Sequence, residues 1–179
     1  YAIGPSQTDP RTGEILNADI LISSTFVTGW SSEYTRLIGE EGLVTRHMEQ
    51  ERAYQMMDPH TLSRTCEYEM GKAHQFGLWR TALIGQGLID GSAPMPEEFL
   101  GDAIRDLIMH EVGHTLGMRH NFRGSSAIPH EKLHDDAFTG EHGLTLSVMD
   151  YASTNISVDP DKQGDFVNKT VGTYDRWAI

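Results

Sequence analysis

The sequence predicts an α+β fold: a small β-sheet at the N-terminus, then helices, one of them long and rich in histidine. Three observations lead there. Asp9-Pro10-Arg11-Thr12-Gly13 is a tight turn between two extended stretches. Apolar residues recur at helical spacing between Leu62 and Ile84, and a second such stripe runs from Pro96 past Val112. The periods of 2 and 3.6 are thus segregated along the chain, as an α+β fold requires.

Taken in order, Tyr1 to Ile22 reads as a β-hairpin. Pro10 fixes φ at about −65°, as the first corner of a type I turn asks, and Gly13 suits its close. Leu16, Ala18, Ile20 and Ile22 then alternate with Asn17, Asp19 and Leu21, the pattern of a half-buried strand. Ser23 to Gly29 is a turn-rich exit. Ser31 to Met57 is helical in character, with Glu40 and Glu41 enclosed by Gly39 and Gly42. His47 and His60 stand among polar neighbours and are expected at the surface. A helix is expected from Leu62 to about Ile84, its buried stripe built from Met70, Ala73, Phe76, Trp79, Ala82 and Leu83. His74 lies beside that stripe and is expected in the interior. Gly85, Gly87, Gly91, Pro94 and Pro96 mark the following loop. The next helix starts near Pro96, with Glu97 and Glu98 at its positive end. Phe99, Ala103, Ile104, Leu107, Ile108 and Val112 form its expected buried stripe, and Asn121 to Ser126 is a loop.

At 179 residues the chain fits one domain spanning 1–179 with a real core. Its 38% hydrophobic and 22% charged residues are those of a folded protein. A formal charge of −12 repels phosphate backbones, which argues against a nucleic-acid partner. No apolar run approaches the roughly 20 residues needed to span a bilayer. Cys66 is the only cysteine, so an intrachain disulfide is impossible. It reads as a small buried hydrophobe; the sharper alternative is a thiolate that blocks an open metal position in a latent form. The chain opens in strand-like sequence and closes in Tyr174 to Ile179, which reads as a helix cut short. It is therefore expected to be excised from a longer polypeptide.

The chemistry concentrates in His110-Glu111-Val112-Gly113-His114-Thr115-Leu116-Gly117-Met118-Arg119-His120. Residues four apart on a helix lie about 40° apart around the axis and about 6 Å along it, so His110 and His114 share a face. Glu111 can reach the edge of an ion held there without ligating it. Gly117 permits a positive φ that ends the helix and lets His120 supply a third nitrogen. Three neutral imidazoles with an open fourth position fit a catalytic zinc. Three incidental histidines on a core helix would not explain a glycine and a histidine at fixed offsets. A second HExxH, His130 to His134, competes with the first. Pro129 starts its helix one residue earlier, Asp135 and Asp136 follow at once, and no Gly-x-x-His comes after. It reads as a short surface helix, with His142 in the Gly140–Gly143 loop.

HExxHxxGxxH followed by Ser147-Val148-Met149-Asp150-Tyr151 resembles the metzincin metalloproteases. The resemblance implies a zincin catalytic domain with a long active-site helix, a small N-terminal β-sheet and a lower subdomain carrying a Met-turn. It implies Zn2+ held by His110, His114 and His120, with Met149 packed beneath the three rings. Glu111 would act as general base toward a zinc-bound water. Tyr151 occupies the place of a tyrosine that supports the oxyanion in astacin-like and serralysin-like members. Leu16 to Ile22 would be the strand that borders the cleft and pairs with extended substrate; an internal strand is the alternative. Asp159 to Asp165 loosely imitates a calcium loop, but Thr170 stands where its glutamate belongs, and a polar turn is the better reading.

Gly4-Pro5-Ser6, Asp9 to Ile22, His110 to Phe122, Ser147 to Tyr151 and Gly172 to Ile179 also resemble one group of large bacterial zinc-dependent metalloproteases. There the catalytic region is embedded in a longer chain that is often exported, which implies a periplasmic, cell-surface or secreted location. The mainly helical spacer before the active-site helix departs from the multi-stranded upper sheet of metzincins. The expected function is that of a zinc-dependent endopeptidase with a peptide or protein substrate. Alternatives are a non-catalytic binding module that keeps a structural zinc, which would not need Glu111, and a zinc amidase or deacylase acting on a non-protein substrate. Specificity resides in loops around the cleft, so these motifs do not set it.

Overall fold

The N-terminal segment folds back on itself as a hairpin in the computed structural model, which describes residues 2–22, 24, 28–31 and 68–179. Strand β1 (Ala2–Ile3) pairs antiparallel with β4 (Leu21–Ile22), and β2 (Ser6–Thr8) with β3 (Ile15–Ala18). Between the two ladders Asp19 N donates to Pro5 O at 3.0 Å. The turn closes through Asp9 N to Glu14 O at 2.8 Å, with Gly13 at φ 77° as its glycine signal implied. Asp9 grips Arg11 through both side-chain oxygens, and this hydrogen bonding holds the Asp9 carboxyl below the usual carboxylate range.

One expectation for this hairpin fails. Residues 15–18 are exposed on both faces, and Leu16 is 61% accessible, so the alternation does not mark a half-buried strand. The register slips between Gln7 and Thr8, and the ladder breaks at Asp19-Ile20, so the two short ladders present no continuous face. The hairpin is seated instead by its root. A Cβ on Gly4 would overlap the backbone carbonyl of Glu111 and touch Thr115. Only glycine allows the chain to cross the helix that carries Glu111 so closely.

The described residues pack as two compact units, one within 23–95 and the other made of 2–22 with 96–179. In the first, helix α1 (Tyr68–Gly85) buries Phe76, Trp79 and Leu83, and Trp30 meets Phe76 edge-on at 5.1 Å. Leu88 N reaches Leu83 O and Gly87 N reaches Ile84 O, both at 2.9 Å, with Gly87 at φ 71°; this glycine stop ends the helix. His74 is exposed, against expectation, because two residues before Phe76 is about 200° around the helix from the buried stripe. The helical reading beyond Ser31, the residues before Tyr68, and His47, His60 and Cys66 lie outside the described residues.

In the second unit helix α2 (Glu97–Thr115) begins directly after Pro96, as its sequence signals indicate. Residues 116–172 are nearly all turns and irregular chain, interrupted by short 3-10 turns and helix α3 (Asp136–His142), and helix α4 (Thr173–Ala178) follows. Phe99, Ala103 and Leu107 of α2 are buried, as are Leu144, Val148, Met149, Ala152 and Val167 of the later chain; Phe99 meets Phe166 edge-on at 6.0 Å. Lys169 pairs with Asp102 of α2 and with Asp165, each at 3.0 Å. Burial opposes its charge, but hydrogen bonds to the two carboxylates outweigh burial and raise the Lys169 pKa. No helix among the described residues is long and apolar enough to cross a membrane.

Gly172 marks the tightest seam of this unit. A Cβ there would collide with the backbone of Leu146 and Ser147, which cannot rotate away. Gly172→Ala should lower stability by about 1–3 kcal/mol or more. Gly101→Ala, in open space on α2, should be neutral or stabilising by up to roughly 1 kcal/mol. Thermal unfolding of the two variants side by side checks this; equal melting temperatures would refute the packing described.

Candidate metal centre

The buried face of α2 changes character along its length. It starts apolar with Phe99, Ala103 and Leu107 and ends polar with Asp106, His110, Glu111 and Thr115. Ile108 and Val112, expected in the stripe, are exposed, and Ile104 is half-buried. Each lies about 100° on from a buried neighbour, and the stripe turns toward the histidines instead.

His110 and Glu111 are fully buried. His110 Nδ1 lies 2.7 Å from Val148 O. A carbonyl only accepts, so Nδ1 carries the proton and Nε2 presents its lone pair to the site. His114 is fixed in the same way, Nδ1 donating to Met118 O at 3.1 Å. That carbonyl is placed by the end of α2. Gly117 adopts φ 88°, Met118 N donates to Gly113 O, and Gly117 N donates to His114 O, both at 3.0 Å. The predicted glycine turn thus orients the second histidine as well as delivering the third.

The turn carries His120 back so that its Nε2 stands 3.1 Å from His114 Nε2 and 3.0 Å from the Tyr151 hydroxyl. One nitrogen from each of His110, His114 and His120 lies within 4.8 Å of the other two. Two donors at about 2.0–2.1 Å from a tetrahedral zinc stand roughly 3.3 Å apart, so the His114–His120 spacing fits. Burial, and then the charge of His114, lower the His120 pKa from the ordinary imidazole value. The ring therefore stays neutral, and able to ligate, to a lower pH than a free histidine.

Beneath the helix Met149 is fully buried, its Sδ pressed where a Cβ of Gly113 would be. Gly113 is a functional position that the motif left as a variable letter. Its one sequence signal is a glycine inside a helix, tolerated at a cost of about 1 kcal/mol. Two acids were also missed. Asp150 Oδ2 accepts from Ser125 N at 2.6 Å, tying the loop after His120 to the Met-turn. Asp175 of α4, almost wholly buried, accepts from Ser147 Oγ at 2.6 Å and from Val148 N and Gly172 N at 2.9 Å. Its only sequence signal is a carboxylate three residues into a helix, where a reach back to the first backbone N–H is common.

The competing pentapeptide gathers no such set. His130 to His134 is a 3-10 turn whose two rings meet edge-on at 4.9 Å, and among the described residues the only three-donor cluster is His110, His114 and His120. Its neighbour Asp135 caps α3 by accepting from Phe138 N at 3.1 Å and pairs with Lys132. His142 ends α3 with its ring 4.6 Å from Phe138, rather than lying in the Gly140–Gly143 loop, because the Asp135 cap starts a helix that runs through Gly140. The calcium-like segment is a polar turn: Asp159 accepts from Asp161 N and pairs with Lys162, while Asp165 faces Lys169.

An HExxH helix, a glycine turn to a third histidine and a buried methionine floor define the metzincin class of zincins. Residues 92–179 match a sequence-family model described as Met-zincin. No curated protein and no solved structure matches the chain. The centre is a zinc site on an α+β scaffold, as the sequence led one to expect.

His120→Ala should lower zinc affinity at least about 100-fold, while His134→Ala should leave it unchanged. Elemental analysis after dialysis against a weak chelator separates the two sites. Retention of zinc by the His120 variant and loss by the His134 variant would relocate the metal.

Proposed function

We propose that this chain hydrolyses peptide bonds as a zinc-dependent endopeptidase, with His110, His114 and His120 as the metal ligands. One observation carries the reading. Only three protein donors converge among the described residues, and the fourth group at the centre is a phenol, the Tyr151 hydroxyl. A structural zinc is closed by four protein ligands, whereas a catalytic one keeps a position for substrate and water.

Bound zinc supplies Lewis-acid chemistry: it draws electron density from a carbonyl oxygen and makes water acidic enough to attack near neutral pH. Glu111, buried beside the first ligand, accepts the proton that the attacking water loses as the new C–O bond forms. It then delivers that proton to the amine nitrogen as the C–N bond breaks. Tyr151 donates its hydroxyl hydrogen to the carbonyl oxygen as negative charge builds there. Phe122, 60% exposed, lies 5.5 Å from the His120 ring and 5.1 Å from the Tyr151 ring, and offers apolar surface to a substrate side chain.

Cleavage of an unfolded protein such as casein, abolished by a chelator and restored by zinc, tests the reading. Failure of the zinc-loaded chain to cut any peptide would overturn it. Glu111→Gln should remove turnover by a factor of about 10²–10⁴ with zinc content unchanged. Tyr151→Phe should lower kcat by roughly 10²-fold with little change in KM; an unaltered kcat would exclude Tyr151 from oxyanion support.

A further inference from the structure

A continuous run of hydrogen bonds leads from Asp175 to the buried side of the first zinc ligand. Asp175 Oδ1 accepts from Ser147 Oγ at 2.6 Å. Ser147 Oγ in turn accepts from Met149 N at 3.1 Å. That N–H belongs to the Val148–Met149 peptide, whose carbonyl accepts from His110 Nδ1 at 2.7 Å. The other Asp175 oxygen holds Val148 N and Gly172 N at 2.9 Å. Asp175, Ser147, Val148, Met149 and His110 are all buried, so no water competes along the run.

We infer that Asp175 is a positioning residue for zinc: it serves His110 as a remote carboxylate partner through one serine and one peptide group. Histidine ligands commonly donate their second ring N–H directly to a carboxylate or a carbonyl, which fixes the tautomer and raises the basicity of the ligating nitrogen. Here the two devices are joined in series. The carboxylate draws the Ser147 proton toward itself, which makes the Ser147 oxygen a stronger acceptor for Met149 N–H. That acceptor pushes the N–H electron density back onto the amide nitrogen, and amide resonance carries it to the Val148 carbonyl oxygen, which then holds His110 Nδ1–H more firmly. Each bond polarises the next in the low dielectric of the interior. The same contacts prevent the carbonyl from rotating, so orientation and basicity are set by one group. This role rests on His110 being a zinc ligand but not on peptide hydrolysis.

The test measures zinc affinity of the full chain by competition with a chromophoric chelator, together with the visible spectrum of the Co2+-substituted protein. Asp175→Asn keeps the shape but removes the charge, and Ser147→Ala cuts the run at its middle. Each should weaken zinc about 10–100-fold, the range typical of lost partners behind a ligand, and shift the Co2+ bands. In a His110→Ala background the same changes should have little further effect, because the ligand they act on is gone. Wild-type affinity in folded Asp175→Asn and Ser147→Ala variants would overturn the inference. So would losses that add fully to that of His110→Ala, which would make Asp175 a general brace of the fold. Should Asp175→Asn fail to fold, Ser147→Ala decides by the same criteria. Absence of zinc binding by the wild-type chain would instead refute the metal site itself.

Discussion

The bond from His110 Nδ1 to the Val148 carbonyl is the constraint on which the rest of the site depends. It joins two segments 38 residues apart, helix α2 above and the Met-turn below. Above it, Gly4 lets the hairpin root lie against the Glu111 backbone, and Gly113 lets the helix settle onto Met149. Below it, Leu146 N donates to Gly124 O and Asn121 N to Met149 O, so the loop that delivers His120 is stitched to the same turn. A metal site needs ligands held to within a fraction of an ångström by neighbours that cannot themselves move. Close approach at two glycines and hydrogen bonds to backbone carbonyls provide that here, with few large apolar residues.

Residues 116–172 contain no strand, and their three- to seven-residue helical turns satisfy little of their backbone. The buried amides and carbonyls must find partners elsewhere. Side chains supply them. Asn168 Oδ1 accepts from Leu144 N at 2.8 Å, and Asn155 Nδ2 donates to Leu133 O at 2.6 Å and Asp165 O at 2.9 Å. Thr139 Oγ1 accepts from Asp165 N at 3.1 Å, and Asp150 and Asp175 serve the turns around the zinc ligands. Such a core gains less from apolar burial than a packed sheet would, but each satisfied polar group specifies one arrangement of the loop.

This division explains what the sequence disclosed. Elements governed by local rules were legible: the Asp9–Gly13 turn, the start of α2 after Pro96, the glycine stop at Gly117, and the convergence of three histidines fixed by helical spacing. So was the weakness of His130 to His134, a short turn followed at once by Asp135, which caps the next helix. What failed depended on tertiary neighbours. Alternation in Leu16 to Ile22 suggested a half-buried strand, yet a strand is buried only if something covers it. Ile108 and Val112 seemed core residues, yet the helix turns its polar edge inward because the site lies there. His74 sits opposite its stripe for want of a finer angle count. The links of Asp150 and Asp175 to the Met-turn and its loop were invisible because partners 25 to 28 residues away leave no periodic trace.

Helix α4 shows how far the design extends from the metal. Its first turn is tied back to the Met-turn by side-chain and backbone hydrogen bonds. Arg176 reaches the Glu141 carbonyl at 3.2 Å, and Tyr174 N donates to Leu146 O at 2.9 Å, but Trp177 and Ile179 are largely exposed, so apolar burial contributes little. What holds the helix is Asp175, whose carboxylate closes the first turn at Gly172 N while it grips Ser147 and Val148. Helix and Met-turn therefore stabilise each other through a single side chain. On the inference that the Val148 carbonyl sets His110 for zinc, metal affinity and the order of this helix would be thermodynamically linked. Free energy released at the ligands would then be shared with a segment that touches none of them.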